Sequence, residues 1–263
     1  MKTLFRYISL YKMVFIQAVM QNLAYPQNFV VWMLVDVAWA VVNIGFFRIL
    51  LFNIPEISGW NFDQLTIPLG ILYLLNTLIW GFFYGNMNAI PEYINKGELD
   101  LLLIKPVNLQ FIVSTRQIGL GNLPSVAAGL YLLWYGFHAN GVPWQMSVVV
   151  PLALLAAGTI SYSLWLMTVT LSFWTNRLYN SPDLFAHAVD IARYPVAIFS
   201  QPAKFILTFI LPFAILGFLP AEVILGRISP VWLLWPMGLT VLFLFLSSKF
   251  WQFSLKRYSS ASS

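Results

Sequence analysis

Apolar runs close to the length of a bilayer crossing recur along this chain, and that recurrence restricts its fold more than any motif does. The stretch 29–52, "FVVWMLVDVAWAVVNIGFFRILLF", carries Asp36 and Arg48 as its charges, and 231–253, "VWLLWPMGLTVLFLFLSSKFWQF", carries Lys249. A helix needs about 20 such residues to cross a hydrocarbon core of about 30 Å. With no water in that core, a crossing segment has to satisfy its own backbone hydrogen bonds, which a helix does. The alternation of barrel strands is missing. Composition agrees: 60% of the 263 residues are hydrophobic and 9% charged, against about 45–50% and about 25% in soluble domains. The expected fold is all-α and polytopic.

Six transmembrane helices are predicted, at 29–52, 65–84, 118–137, 148–174, 205–219 and 231–253. They form a single domain, with no linker, low-complexity tract or repeat and no clear inverted symmetry between halves. Residues 1–24 are predicted to lie in the interface as an amphipathic helix, with Leu4, Ile8, Tyr11, Phe15 and Ala18 on one face and Lys2, Arg6, Ser9 and Gln17 opposite. The alternative is a helical extension of the first span. Lys2, Arg6 and Lys12 are not followed by a compact apolar core with a small-residue cleavage site, so a removable signal peptide is not expected.

Basic residues orient the bundle. With the N-terminus in the cytoplasm, twelve lie on the inner side (Lys2, Arg6, Lys12, Lys96, Lys105, Arg116, Arg177, Arg193, Lys204, Lys249, Lys256 and Arg257) and two, Arg48 and Arg227, on the outer. The positive-inside rule therefore places both termini in the cytoplasm. Trp60, Trp144 and Trp232 fall at outer boundaries, 93–108 and 175–204 become cytoplasmic loops, and "LPAEVILGRISP" (219–230) suits a short helix dipping into the outer leaflet.

The chemistry of most enzymes has nothing to work with. There is no G-x-x-x-x-G-K-[ST] loop, no H-E-x-x-H and no cysteine, and His138 and His187 are far apart. Neither an enzyme, nor a bound cofactor or metal, nor a nucleic-acid partner is expected.

Two groups of residues stand out. In "YINKGELDLLLIKPVN" (93–108) charges crowd into an oily chain. Pro91 suits the first turn of a short helix with Asn86 or Asn88 near its cap, and Gly97 ends it at positive φ. Glu98 and Asp100 favour the start of a second short helix, with Lys105 at its end and Pro106 stopping it. On these grounds alone an ordinary loop and a docking site are equally open. The second group is Trp32, Asp36, Trp39 and Asn43, one stripe of the first span. Its single carboxylate and two aromatic faces are a combination that attracts organic cations. The alternative is that Asp36 pairs with a basic or hydrogen-bonding group on another helix, or sits high enough for water to reach it.

The loop run Gly-Glu-Leu-Asp-Leu-Leu-Leu ending in Lys-Pro-Val, with "QF" at 110–111 and "LPAEVILG" at 219–226, resembles the ABC-2-type permease family, in its branch of antibiotic and xenobiotic exporters. The resemblance implies a multi-pass permease subunit in a prokaryotic inner membrane, driven by a separate cytoplasmic ABC ATPase that carries ATP and Mg. It also implies pairing with a second permease subunit, identical or not. The loop between spans two and three would be the coupling helix, with the ATPase contact at Glu92, Tyr93, Lys96, Gly97, Glu98, Leu99, Asp100, Lys105 and Pro106. The other readings are a membrane scaffold that recruits a soluble partner through this loop and, third, a stand-alone secondary transporter.

Overall fold

A computed structural model describes residues 2–174 and 189–258. The chain is 81% helix, with no strand among the described residues. Helix α1 (Lys2–Ala24) is followed by α2 (Pro26–Asn53), which starts on a proline whose missing N–H costs nothing in a first turn. A reciprocal capping box starts α3 (Phe62–Leu78): Gln64 N–H donates to Asn61 Oδ1 at 2.9 Å and Asn61 N–H to Gln64 Oε1 at 3.3 Å. A π turn at Ile79–Tyr84 carries α3 without interruption into α4 (Gly85–Asn95). Short helices α5 (Leu99–Leu103) and α6 (Leu109–Thr115) follow, then α7 (Leu123–Ala139) and α8 (Val149–Thr170). Last come α9 (Gln201–Phe205), α10 (Phe218–Ile224) and α11 (Leu234–Leu255).

Among the described residues, four helical paths are long and apolar enough to cross a membrane: Pro26–Phe52, Phe62–Asn95, Trp144–Phe173 and Pro230–Leu255. They contain the predicted first, second and sixth spans and all of the fourth but Trp174. The predicted third span starts late. Residues 116–122 are not regular helix, and α7 supplies 17 residues, about 25 Å at 1.5 Å each. The predicted fifth span, 205–219, is not one helix. A π turn at Ile206–Ile210 runs into Pro212, which has no N–H to continue it, and a 3₁₀ turn at Phe213–Leu216 leads into α10.

Two helix pairs make the core, α3 with α7 antiparallel and α8 with α11 parallel. At the crossing of α3 and α7 the backbones approach so closely that a Cβ on Gly129 would lie 2.9 Å from Gly70 O, and one on Gly136 would lie 2.5 Å from Thr66 Oγ1. Small residues at such a crossing let dispersion hold helices that lipid does not push together. In the second pair α8 lies along α11, with Trp174, just beyond α8, stacked on Phe250 at 5.6 Å. One apolar cluster (Trp60, Leu65, Ile67, Phe137, Phe218) fills the end near Trp60. Another (Ile90, Leu99, Leu102, Val113, Trp165, Trp251) fills the end near Gly97. By contrast α2 lies at the edge, with 6% of its apolar window buried.

Helix α1 meets the bundle through Tyr7, whose hydroxyl accepts from Asn108 N–H at 3.2 Å and whose ring lies edge-on to Phe111 at 4.7 Å. Ala18 is buried there, whereas Ile8, Tyr11 and Phe15 of the predicted apolar face are exposed.

Candidate functional site

Trp32, Asp36, Trp39 and Asn43, spaced by helical periodicity, line one wall of a cavity of about 310 Å³. Tyr73, Asn76 and Trp80 form the facing wall, Trp80 lying on the π turn. Val35, Asn122, Ser125 and Arg193 complete the lining.

The seat of Asp36 has a definite physical cause. Asn122 occupies the N-cap position of α7, but its side chain makes no capping bond. Asp36 caps the helix instead, from α2. Its Oδ2 accepts from Ser125 N–H at 2.8 Å, and its Oδ1 accepts from Ser125 Oγ–H at 2.8 Å and from Asn122 Nδ2–H at 3.4 Å. A carboxylate there satisfies an orphan N–H and sits at the positive end of the helix dipole. The hydrogen-bonded alternative for Asp36 is thus what the geometry contains, although the carboxylate still faces the cavity. Ahead of α7 the chain is held at Gln117 by Asn86, predicted as a helix cap and found instead as a buried bracket. Its side chain donates to Phe82 O at 2.7 Å and Gln117 O at 2.8 Å and accepts from Gln117 N–H at 2.9 Å.

Arg193 is the residue that sequence reasoning misplaced. It was assigned to a cytoplasmic loop over 175–204; of that segment, 175–188 lie outside the described residues. Arg193 itself donates to Asn43 Oδ1 at 2.8 Å, and the Tyr194 ring lies 6.1 Å from that of Phe47. Both partners belong to α2 inside an apolar span, so 189–194 lies alongside the span and not beyond its end. The reason is that charge counting treats every basic residue between spans as solvated, whereas a guanidinium with a fixed amide acceptor can lie within a bundle. Tyr73, Asn76, Trp80, Asn122 and Ser125 were missed too. Of these, "NLPS" (122–125) carried a readable signal, a polar N-cap residue two places before a proline.

The loop group has the backbone its residues predict, with one correction. Gly97 has φ +72°, Glu98 precedes α5 and Asp100 lies in its first turn. Pro91, however, lies inside α4, because the helix arrives unbroken from Phe62 and does not start at the loop. Glu92 and Lys96 form an ion pair one turn apart, and Tyr93 lies under Arg116 at 5.2 Å. Leu99 and Leu102 are buried in the cluster near this end, while Leu101 (65%) and Ile104 (80%) are exposed along with Leu103, Glu98, Lys105 and Pro106. Asp100 is half-buried beside Tyr258, whose hydroxyl pKa is pushed up by burial and then by that carboxylate. A rigid stub of helix, anchored by two leucines, thus presents an apolar tip ringed by charges.

These features define a polytopic helical membrane protein with a polar cavity among its spans and a protruding helical loop at one end. Residues 37–262 match the family described as ABC-2 family transporter protein. The chain belongs to that family, and so is an integral membrane component of a transport system. Neither the curated proteins nor the solved structures gave a match.

Proposed function

We propose that this chain is the permease subunit of an ATP-binding-cassette exporter of hydrophobic or cationic small molecules. A separate ATPase subunit would supply ATP and Mg, and a second permease subunit would complete the complex within membrane lipid. Family membership supports partnership with an ABC ATPase. In this reading α7 and the broken segment 201–224 serve as the third and fifth of six crossings, α1 lies in the interface, and both termini face the cytoplasm of a prokaryote. With Arg193 removed from the loop count, eleven basic residues remain on the inner side against Arg48 and Arg227 outside, so the positive-inside rule still favours this orientation.

The observation that carries the proposal is the exposed tip of α5. Leu101, Leu103 and Ile104 protrude from a stub fixed by Leu99 and Leu102, and an apolar tip held so rigidly suits a protein cleft. The ATPase contact then runs from Glu92 to Pro106, and the cavity at Asp36 takes the cargo. The test is co-expression with the cognate ABC ATPase. Gly97→Val forces a β-branched residue into positive φ, and Glu98→Lys reverses a charge at the interface, where a wrong-sign contact costs several kcal/mol. Both variants should reach the membrane yet fail to retain the ATPase or to couple its hydrolysis to cargo. If both assemble and transport normally, the loop is not the coupling site.

A further inference from the structure

A second cavity, of about 660 Å³, lies between α1 and the run Phe62–Asn95, and among the described residues it shares only Trp80 with the cavity at Asp36. We propose that it binds the headgroup of an anionic phospholipid of the phosphatidylglycerol class, with the phosphate on Arg116 and the glycerol hydroxyls on Gln17 and Gln21. The site is separate from the cargo cavity and does not depend on export. The orientation proposed above puts it in the inner leaflet.

The room is made by glycine. Residues 116–119 cross the run so closely that Gly119 N–H donates to Gly81 O at 2.7 Å, and a Cβ on Gly119 would lie 3.2 Å from Trp80 O. With no side chain at Gly81, Gly85 or Gly119, a hollow remains that α1 meets with Val14, Ala18 and Gln21. Arg116, just beyond α6, lines it. This guanidinium lies 5.2 Å over the Tyr93 ring and, among the described residues, has no ion pair. Its N–H fork suits a phosphate, taken through two parallel bonds.

Charge and ring geometry select the headgroup. Among the described residues the lining holds one cation and no carboxylate, so a headgroup ammonium would find no counter-charge. Nor is there an open aromatic cage for choline, because Tyr93 carries Arg116, and Trp80 and Tyr84 lie against each other at 4.4 Å. An anion bearing hydroxyls meets the arginine and the amides together. Helix α1 favours a lipid over a soluble phosphate. Met13, Ile16 and Met20, exposed and spaced by helical periodicity, run beside Gln17 at the rim. Acyl chains can follow that stripe while the headgroup enters the hollow. Basic pockets between spans on the cytoplasmic side hold acidic headgroups in this way.

The test uses the full-length chain in maltoside micelles, with binding of lipids of matched acyl chains read by native mass spectrometry. Phosphatidylglycerol should bind at least about fivefold more tightly than phosphatidylcholine, about 1 kcal/mol at about 1.4 kcal/mol per factor of ten. Arg116→Gln should erase that preference, and Arg116→Lys should keep part of it, since an ammonium is a point charge without the fork. Phosphatidylmethanol, with the same charge and no hydroxyl, should bind the wild-type protein less tightly than phosphatidylglycerol does, and Gln17→Leu/Gln21→Leu equally. Equal wild-type affinity for phosphatidylglycerol and phosphatidylcholine overturns the proposal. A preference lost as fully in Lys12→Gln, an exposed α1 position outside the cavity, overturns it too, as general surface attraction. Glycerol phosphate binding as tightly as phosphatidylglycerol overturns the lipid and assigns the site to a soluble phosphate ester. No ATPase takes part in these measurements, so their outcome and that of the export test are independent.

Discussion

Removing the remote cap that α2 places on α7 gives the most direct measure of what Asp36 does for the fold. Asp36→Ala deletes acceptors for two hydrogen bonds of 2.8 Å and a longer one of 3.4 Å. Bonds to charged groups in soluble proteins contribute about 1.5–3 kcal/mol each, but the membrane figure is smaller, about 0.6 on average and 1.7 at most, because the unfolded chain in lipid also finds partners. The membrane value should govern here, so two good bonds give a loss of about 1–3 kcal/mol. Ser125→Ala removes only the hydroxyl bond, and should cost about 0.6–1.7 kcal/mol. Asp36→Asn retains one acceptor for the Ser125 N–H and loses the charge at the helix start, worth about 0.3–1 kcal/mol. Its cost should lie below that of the alanine variant. The assay is reversible unfolding in mixed micelles of all three variants and of the Asp36→Ala/Ser125→Ala double variant. The double variant should lose less than the sum of the singles by about 0.5–1.5 kcal/mol, as for residues in direct contact. Strict additivity, with Asp36→Ala as stable as the parent, would refute the capping account.

Gly129→Val should disrupt the α3–α7 crossing, because its Cβ would meet Gly70 O and Leu74 Cγ at 2.9 Å; the loss of folded protein in detergent should exceed about 2 kcal/mol, with Leu130→Val on the exposed side of α7 as a mild control. Single cysteines placed in this cysteine-free chain should label from outside at Ser58 and Asn140 and only after permeabilisation at Asn95; outside labelling at Asn95 would reverse the orientation. Arg227→Ala should loosen the turn at Ile57–Trp60, since Arg227 donates to Gly59 O at 2.8 Å and Gln64 Oε1 at 2.6 Å and lies 4.2 Å over the Trp60 ring.

Features set by local backbone or by one helix's periodicity were legible in the sequence. Gly97 was readable because a glycine between two short helical runs suits the one torsion other residues avoid. The stripe from Trp32 to Asn43 was readable because offsets of three, four and seven residues share a helix face. What failed was long-range or hidden from hydropathy. Arg193 meets Asn43 across 150 positions, and no local pattern announces that. Asn86 has the composition of a cap and the role of a bracket, a difference set by where Gln117 passes. Pro212 does not lower the hydropathy of its segment enough to split it, yet its missing N–H coincides with the break. Pro91 erred in the other direction, since a helix among neighbours in a bilayer tolerates proline that an isolated turn would need at its start.

The two groups picked out separately in the sequence are joined by one covalent path. Tyr73, Asn76 and Trp80 of the cavity wall and Glu92, Tyr93 and Asn95 at the edge of the loop all lie on the 34-residue run Phe62–Asn95. Trp80 and Asn95 are fifteen residues apart, about 22 Å of helix. Leu99 and Leu102 share an apolar cluster with Ile79 and Ile90 of that run, so on the export reading a push on α5 acts directly on it. Coupling over such a distance needs a stiff element with a discrete second arrangement. The stiffness is supplied by the continuous helix. A second arrangement is available at the π turn Ile79–Tyr84, where i→i+5 bonding holds one residue more per turn than the α form. Relaxing that turn to α geometry would rotate one half of the run against the other by about 100°. Trp80 sits inside the turn, so the aromatic face that closes the cavity is the side chain such a change would move first.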